Sequence, residues 1–253
     1  MDLKNAAVLV TGGSCGIGLE TARLLRSRGA RVAICARHKD MLESAAKEIG
    51  ALPIVADVSR EDDVQQLIGA VVKEYSDYNV LINNAGFGAF APLVDLTAEE
   101  FFRVWQTNVL GAMLVARESA KHFVGRSYGN IVNISSTAGQ RGFANGSAYC
   151  ASKFALHALT ECWRAELRQH NIRVMQVNPS EVLTTFGEGE SSPTPNRPDN
   201  PTKLHPSDIA RLIAGMLEIE DRGFVTESTI WATNPGKAAS ATDRRELETD
   251  NYN

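Results

Sequence analysis

The stretch Ala6-Ala7-Val8-Leu9-Val10-Thr11-Gly12-Gly13-Ser14-Cys15-Gly16-Ile17-Gly18 joins a short apolar run to a glycine-rich turn and then to a helical pattern. That pattern runs from Ile17 to Arg28 and stops at Gly29, so the segment predicts a strand (Ala6 to Val10), a tight turn, a helix and a glycine stop. A glycine-rich turn between a strand and a helix is the context a phosphate-binding loop requires. Helix N-terminal amides can face a pyrophosphate there, and the glycines permit its close approach. Gly12, Ser14, Gly16, Ile17 and Gly18 are the candidate contacts. In another context the same glycines would make only a turn.

Working outward, the alternation continues. Arg31 to Ala36, Ile54 to Ala56, Val80 to Ile82, Asn130 to Ile134, Ile172 to Val177 and Thr229 to Ala232 read as further strands. Met41 to Ile49, Glu61 to Tyr75, Glu99 to Phe123, Tyr149 to Arg168 and Ser207 to Glu218 read as helices. Strands alternating with helices of this length require a parallel sheet covered on both faces, an α/β doubly wound domain. At 253 residues one such domain is expected, over 1–235. Two segments depart from the pattern. Residues 184–205 are rich in glycine and proline with almost no apolar content, and they follow a strand C-terminus, where such sheets bind ligands, so a substrate lid is expected there. The polar stretch 236–253 reads as a mobile tail.

A hydrophobic fraction of 43% with 22% charged residues excludes a disordered or fibrous chain. The net charge of −4 gives no general attraction to nucleic acid or anionic lipid. No apolar run approaches 18 residues, and the N-terminal one is too short for a signal sequence. Cys15, Cys35, Cys150 and Cys162 lie far apart, without the spacing of a zinc site or a disulfide framework. A cytoplasmic protein with free thiols and no metal fits these observations.

Ala36-Arg37-His38-Lys39 closes the second strand. An Asp or Glu there would hold the ribose 2′-hydroxyl of NAD, whereas Arg37 suits the 2′-phosphate of NADP. A solvated basic turn fits the same residues, and Asp40 could be an N-cap or a rival ribose ligand. Asp57-Val58, ending strand three, could present a carboxylate to an adenine amino group or cap the next helix. Asn83-Asn84-Ala85-Gly86 closes strand four with two amides, which can tie strand ends together or meet a ribose, and two small residues that allow close approach.

The catalytic candidates lie further on. Thr97-Ala98-Glu99-Glu100 is a capping box. Inside the helix that it opens, Asn108 stands among apolar residues and is followed by Gly111, which costs a helix interior about 1 kcal/mol relative to alanine. Two local penalties together suggest a purpose, although a buried amide tied off by backbone is an equal reading. Ser136 follows strand five, and a glycine-bearing loop (Gly139, Gly142, Gly146) leads to Tyr149 and Lys153. Four residues apart, the last two share a helix face, a phenol beside an ammonium. The ammonium favours phenolate, drawing the tyrosine below its ordinary pKa of about 10. Ser136 and Tyr149 could then meet one substrate oxygen. A serine nucleophile is not indicated: no histidine stands at a strand end and there is no G-x-S-x-G elbow.

With these residues in order, the chain resembles the short-chain dehydrogenase/reductase family from about Asn5 to Pro235. Thr11-Gly12-x-x-x-Gly16-x-Gly18, Asp57, Asn83-Asn84-Ala85-Gly86, Asn108, Ser136 and Tyr149-x-x-x-Lys153 follow the family's order and spacing. The resemblance implies a Rossmann domain with seven parallel strands in order 3-2-1-4-5-6-7, binding NADP(H). It makes Tyr149 the general acid/base for interconverting a carbonyl and a secondary alcohol. Ser136 polarises the carbonyl, and Lys153 holds the nicotinamide ribose and lowers the tyrosine pKa. Asn108 holds a water in a proton relay. Pro179, Val182 and Thr184 meet the cofactor's carboxamide region, beside a homodimer or homotetramer built on the helices Thr97 to Phe123 and Tyr149 to Arg168.

The chain also departs from the family pattern. Ser180 stands where glycine is common, and Cys15 occupies an often basic position, which leaves selectivity for NADP to Arg37. A reductase of 3-oxoacyl carrier-protein thioesters is the alternative. The basic residues it requires are matched only in part, by Arg126 with Ser127 and by Arg168 with His170. A catalytically silent NADP-binding sensor is another alternative, as is an epimerase or dehydratase on the same site.

Overall fold

The computed structural model describes residues 1–186, 200 and 202–234. Seven strands form one sheet: β1 (Ala7–Thr11), β2 (Arg31–Ala36), β3 (Leu52–Val55), β4 (Val80–Asn83), β5 (Gly129–Ile134), β6 (Ile172–Pro179) and β7 (Glu227–Ile230). All pair in parallel, in the order β3-β2-β1-β4-β5-β6-β7. The helices are α1 (Gly16–Ser27), α2 (Lys39–Ile49), α3 (Glu61–Glu74), α4 (Ala98–Trp105), α5 (Ala112–Arg126), α6 (Ser147–Leu167) and α7 (Pro206–Glu218).

The two-residue period of the strands divides the core. Val8, Val10, Ile34, Val80, Ile82, Val132 and Val177 face one way and pack with Ala22 and Leu25 of α1, Leu42 of α2 and Ile209 and Ile213 of α7. Leu9, Leu81, Ile131 and Val174 face the other way and meet Val64 and Leu67 of α3 and Val115 and Phe123 of α5. β1, β4, β5 and β6 are buried throughout, and the amide and guanidinium side chains they carry inside, Asn83, Asn130, Asn133, Arg173, Gln176 and Asn178, all make hydrogen bonds, as buried polar groups must. β3 alternates between half-buried and exposed positions and contains Pro53, as an edge strand permits.

Three element readings change. The third strand is Leu52–Val55 and the last is Glu227–Ile230, both set earlier than expected by the neighbours they pair with, Ala33 to Ala36 and Gln176 to Pro179. The helix expected over Glu99 to Phe123 is in fact α4 and α5 joined by a π-helical segment, Gln106–Gly111. Its expected capping box is present: Glu100 N–H donates to Thr97 Oγ1 at 3.1 Å, and the Glu100 carboxylate accepts from Thr97. Of the expected lid, 187–199 and 201 lie outside the described residues, as does the expected tail at 236–253. The lid's two ends meet: Leu183 N–H donates to the Leu204 carbonyl at 2.7 Å, and Lys203 pairs with Glu181 at 3.3 Å. No described helix is long and apolar enough to cross a membrane.

With β1 and β4 side by side, the chain moves through the sheet in opposite directions after β1 and after β4. The crevice beyond those strand ends is where an open parallel sheet offers a ligand site.

Candidate active site

A cavity of about 1030 Å³ opens along that crevice. At one end the turn after β1 enters α1 with Gly12 at φ +64° and Gly16 at φ +55°, conformations that glycine adopts at no steric cost. The N-cap of α1, Cys15, makes no side-chain capping bond, and the first turn holds no acid. The first amides of a twelve-residue helix thus face the cavity uncapped, an anion site by dipole and by hydrogen bonding. These residues fit a dinucleotide pyrophosphate. Thr184 comes against the same turn, with its methyl 3.5 Å from where a Cβ on Gly16 would stand.

Of the candidate cofactor residues, Ser14, Ile17, Arg37, Asp57, Val58, Ala85, Gly86, Pro179 and Val182 all line the cavity. Asp40 does not line it, and it lies inside the first turn of α2, whose N-cap is His38. Neither of the roles left open for Asp40 is therefore seen. Asp57 likewise caps no helix: its Oδ1 accepts from Ser59 N–H and Oγ at 2.9 and 2.7 Å, closing a short turn ahead of α3.

Gly18 is the one expected cofactor residue that does not line the cavity. A Cβ there would stand 2.3 Å from the Gly12 carbonyl oxygen, so Gly18 serves the packing of α1 on the turn. Both amides closing strand four tie neighbouring elements together, and Asn84 also lines the cavity. Asn84 Nδ2 donates to the carbonyls of Thr11 and Gly12 at 2.9 and 3.2 Å. Asn83 Nδ2 donates to Ala112 and Asn133.

At the other end stand Ser136, Tyr149 and Lys153. β5 delivers Ser136, and the short 3₁₀ turn Thr137–Gly139 brings the chain against α6. Gly139 allows that approach, since a Cβ would stand 2.8 Å from the Lys153 carbonyl. The Ser136 hydroxyl accepts from Ala138 N–H at 3.1 Å and donates to the Pro179 carbonyl at 3.5 Å, and it stands close enough to the Tyr149 phenol to ease its ionisation. Lys153 is buried and its Nζ donates to the Ile134 carbonyl at 2.8 Å, standing 5.7 Å from the Tyr149 ring centre.

The expected lowering of the tyrosine pKa is not what this geometry gives. Burial pushes Tyr149 up to about 12, with the neighbouring Ser136 hydroxyl opposing and Cys150 adding a small rise. Burial also brings Lys153 down to about 8. Desolvation disfavours both charged forms and outweighs the attraction between them at this separation. The resting site holds a neutral phenol.

Asn108 sits behind the cavity wall, in the π segment. Its Nδ2 donates to the Phe87 carbonyl at 2.9 Å and to Ser152 Oγ at 3.0 Å, and its Oδ1 accepts from Phe87 N–H at 3.0 Å. The buried amide tied off by backbone, one of the two readings of this residue, describes the side chain. Gly111 has a packing reason: a Cβ would stand 2.9 Å from Val58 Cγ2.

The sequence did not single out Phe90, Phe186 or Trp231, which line the cavity around Tyr149. Large apolar residues inside polar strand-end loops were the available signal.

Residues 6–194 match the family model described as short chain dehydrogenase. An NADP-dependent 3-hydroxy acid dehydrogenase of Schizosaccharomyces pombe is 32% identical over 93% of this chain and 96% of its own length. The L-xylulose reductase of Caenorhabditis elegans is 40% identical over 74% of this chain and 75% of its own. Among solved structures, a metagenomic short-chain oxidoreductase in complex with NADP superposes with a TM-score of 0.77 at 32% identity, covering 93% of this chain and all of that one.

Proposed function

The chain belongs to the short-chain dehydrogenase family, and on that premise we propose that it is an NADP(H)-dependent oxidoreductase that interconverts a carbonyl and a secondary alcohol with Tyr149 as acid/base. The observation that carries the reading is one cavity with an uncapped glycine turn at one end and Ser136, Tyr149 and Lys153 together at the other. The turn and the first amides of α1 hold the pyrophosphate. Arg37, exposed at the end of β2, meets the 2′-phosphate, and Thr184 and Val182 meet the far end of the cofactor. The dinucleotide supplies hydride when bound.

The protein's own residues handle the proton. Ser136 orients the substrate oxygen, and Tyr149, held protonated by burial, donates its hydrogen to that oxygen as negative charge develops on it. Lys153 then stabilises the phenolate left behind, the one state in which the pair attract as opposite charges. The dry site makes that attraction worth more than it would be in water. Names among the relatives, a 3-hydroxy acid dehydrogenase and an L-xylulose reductase, support carbonyl and alcohol chemistry without fixing a substrate. The proposal extends to a homodimer or homotetramer on the faces that leave Phe102 and Phe154 exposed; a monomer in equilibrium sedimentation would overturn that part.

Tyr149→Phe tests the mechanism. Turnover of NADPH with a carbonyl panel should fall by at least about 10²-fold while NADPH fluorescence titration shows binding retained. Substantial remaining activity removes Tyr149 from its role. Silence of the wild-type protein across the panel, with NADPH still bound, favours the sensor.

A further inference from the structure

Three loops from successive strand ends each send a phenylalanine toward Tyr149: Phe90 after β4, Phe143 after β5 and Phe186 after β6. The Tyr149 ring meets Phe90 edge-on at 5.7 Å and Phe186 at 5.2 Å, and Phe90 lies 6.1 Å from Phe143. With Trp231, these rings remain 45% to 54% exposed, yet they face a concave wall of the site rather than open surface.

The rings are held in place by the backbone. A Cβ on Gly88 would stand 2.6 Å from the Phe90 ring and 3.0 Å from that of Phe186, and one on Gly146 would stand 2.6 Å from Phe143. These glycines clear the space the rings occupy. Ala91 N–H donates to the Asn145 carbonyl at 3.0 Å, fastening the loop that carries Phe90 to the one that carries Phe143. Gln140, which also lines the cavity, has its Nε2 committed to Glu227 and Thr229 at 2.9 and 3.0 Å, so it offers no side-chain donor to a hydroxylated substrate.

Concave apolar surface with few convergent polar groups selects ligands by shape and apolar area, and offset or edge-on rings favour an aromatic partner. We propose, resting on the carbonyl-reductase reading above, that the substrate is a ring-bearing ketone, aryl or alicyclic, seated among Phe90, Phe143 and Phe186 with its carbonyl at Ser136 and Tyr149. In the reaction the C=O π bond breaks as a C–H and an O–H bond form. The hydride and its two electrons come from NADPH, which leaves as NADP, the proton comes from Tyr149, and solvent reprotonates the phenolate. The rival is a short oxo acid held at the cavity's edge by Arg141, which would leave the rings unused.

Steady-state reduction of 1-tetralone, L-xylulose and acetoacetate by NADPH tests the proposal. The expected kcat/KM for 1-tetralone exceeds both others by about tenfold or more. Phe143→Ala and Phe186→Ala raise its KM by about tenfold with a much smaller change in kcat, and Phe143→Leu, which keeps bulk without a ring, falls between. NADPH fluorescence titration of each variant confirms a folded cofactor site. A preference for L-xylulose or acetoacetate, or an unmoved 1-tetralone KM in the alanine variants, overturns this inference and leaves the carbonyl-reductase reading standing. No turnover of any of the three by protein that binds NADPH overturns both.

Discussion

Lys153 carries its ammonium inside the protein, and burial lowers its pKa from the ordinary 10.5 to about 8. Below pH 8 folded and unfolded chains both hold that proton, so the cost of burying the charge is present in full. Between pH 8 and 10.5 the folded chain releases the proton first, and the cost fades as pH rises. A shift of this size is worth roughly 3 kcal/mol. Replacing the ammonium with a thioether removes that cost but leaves the Ile134 carbonyl without its donor, a loss of about 1–3 kcal/mol. Lys153→Met should therefore be more stable than the parent at pH 7 by about 1 kcal/mol, with Tm higher by about 2–4 °C, and the gain should vanish by pH 10. Calorimetry at the two pH values checks both halves. A variant less stable than the parent at pH 7 would show that the buried charge is compensated by something other than its one hydrogen bond. The same variant should lose turnover, since a charge that costs the fold stability is the one the phenolate requires.

The π segment between α4 and α5 holds the wall in place. Its six residues carry Asn108 inward to clamp both backbone groups of Phe87, and the segment Phe87 begins carries Phe90 into the cavity. Asn108→Ala leaves a peptide N–H and a carbonyl unpaired, which should cost about 1–3 kcal/mol in urea unfolding. The KM for the carbonyl should rise by more than kcat falls, because the wall loosens while Tyr149 keeps its place. If kcat collapses with stability and KM intact, Asn108 belongs to the proton relay that the resemblance implies. Here the sequence was informative up to a point. A polar residue and a glycine inside an apolar helical pattern marked the place, but a periodicity of 3.6 cannot display a local widening of the helix, so one long helix was expected where three segments occur. The Tyr149 pKa escaped for a similar reason: spacing puts phenol and ammonium on one face, whereas the balance between attraction and desolvation depends on depth.

Across the whole molecule, the alternation of apolar strands and amphipathic helices was enough for a parallel sheet covered on both faces, because each strand's two faces need separate cover, whereas the strand order came from the family resemblance. The ends of the edge strands were less legible, since pairing with one neighbour sets them. Each phenylalanine was visible only as an apolar residue in a polar loop, and their convergence was not legible, because three loops distant in sequence had to be folded together before their rings could meet. Cofactor choice is a property at this scale too, since it couples the end of β2 to the stability of the entire domain. A ligand bound only by the folded state stabilises it by about 2.7 kcal/mol at a hundred times its Kd, which for a chain of this length raises Tm by about 5–10 °C. At equal concentrations NADP should stabilise the protein well beyond NAD, because Arg37 at the cavity wall can pair with the 2′-phosphate, a charge-assisted contact worth about 1.5–3 kcal/mol. Arg37→Asp should reverse the order, weakening the NADP shift by repulsion and letting the new carboxylate accept from the ribose hydroxyl of NAD. Differential scanning fluorimetry of both proteins with both dinucleotides measures this directly. A parent protein stabilised more by NAD would remove Arg37 as the selector and with it the assignment of NADP.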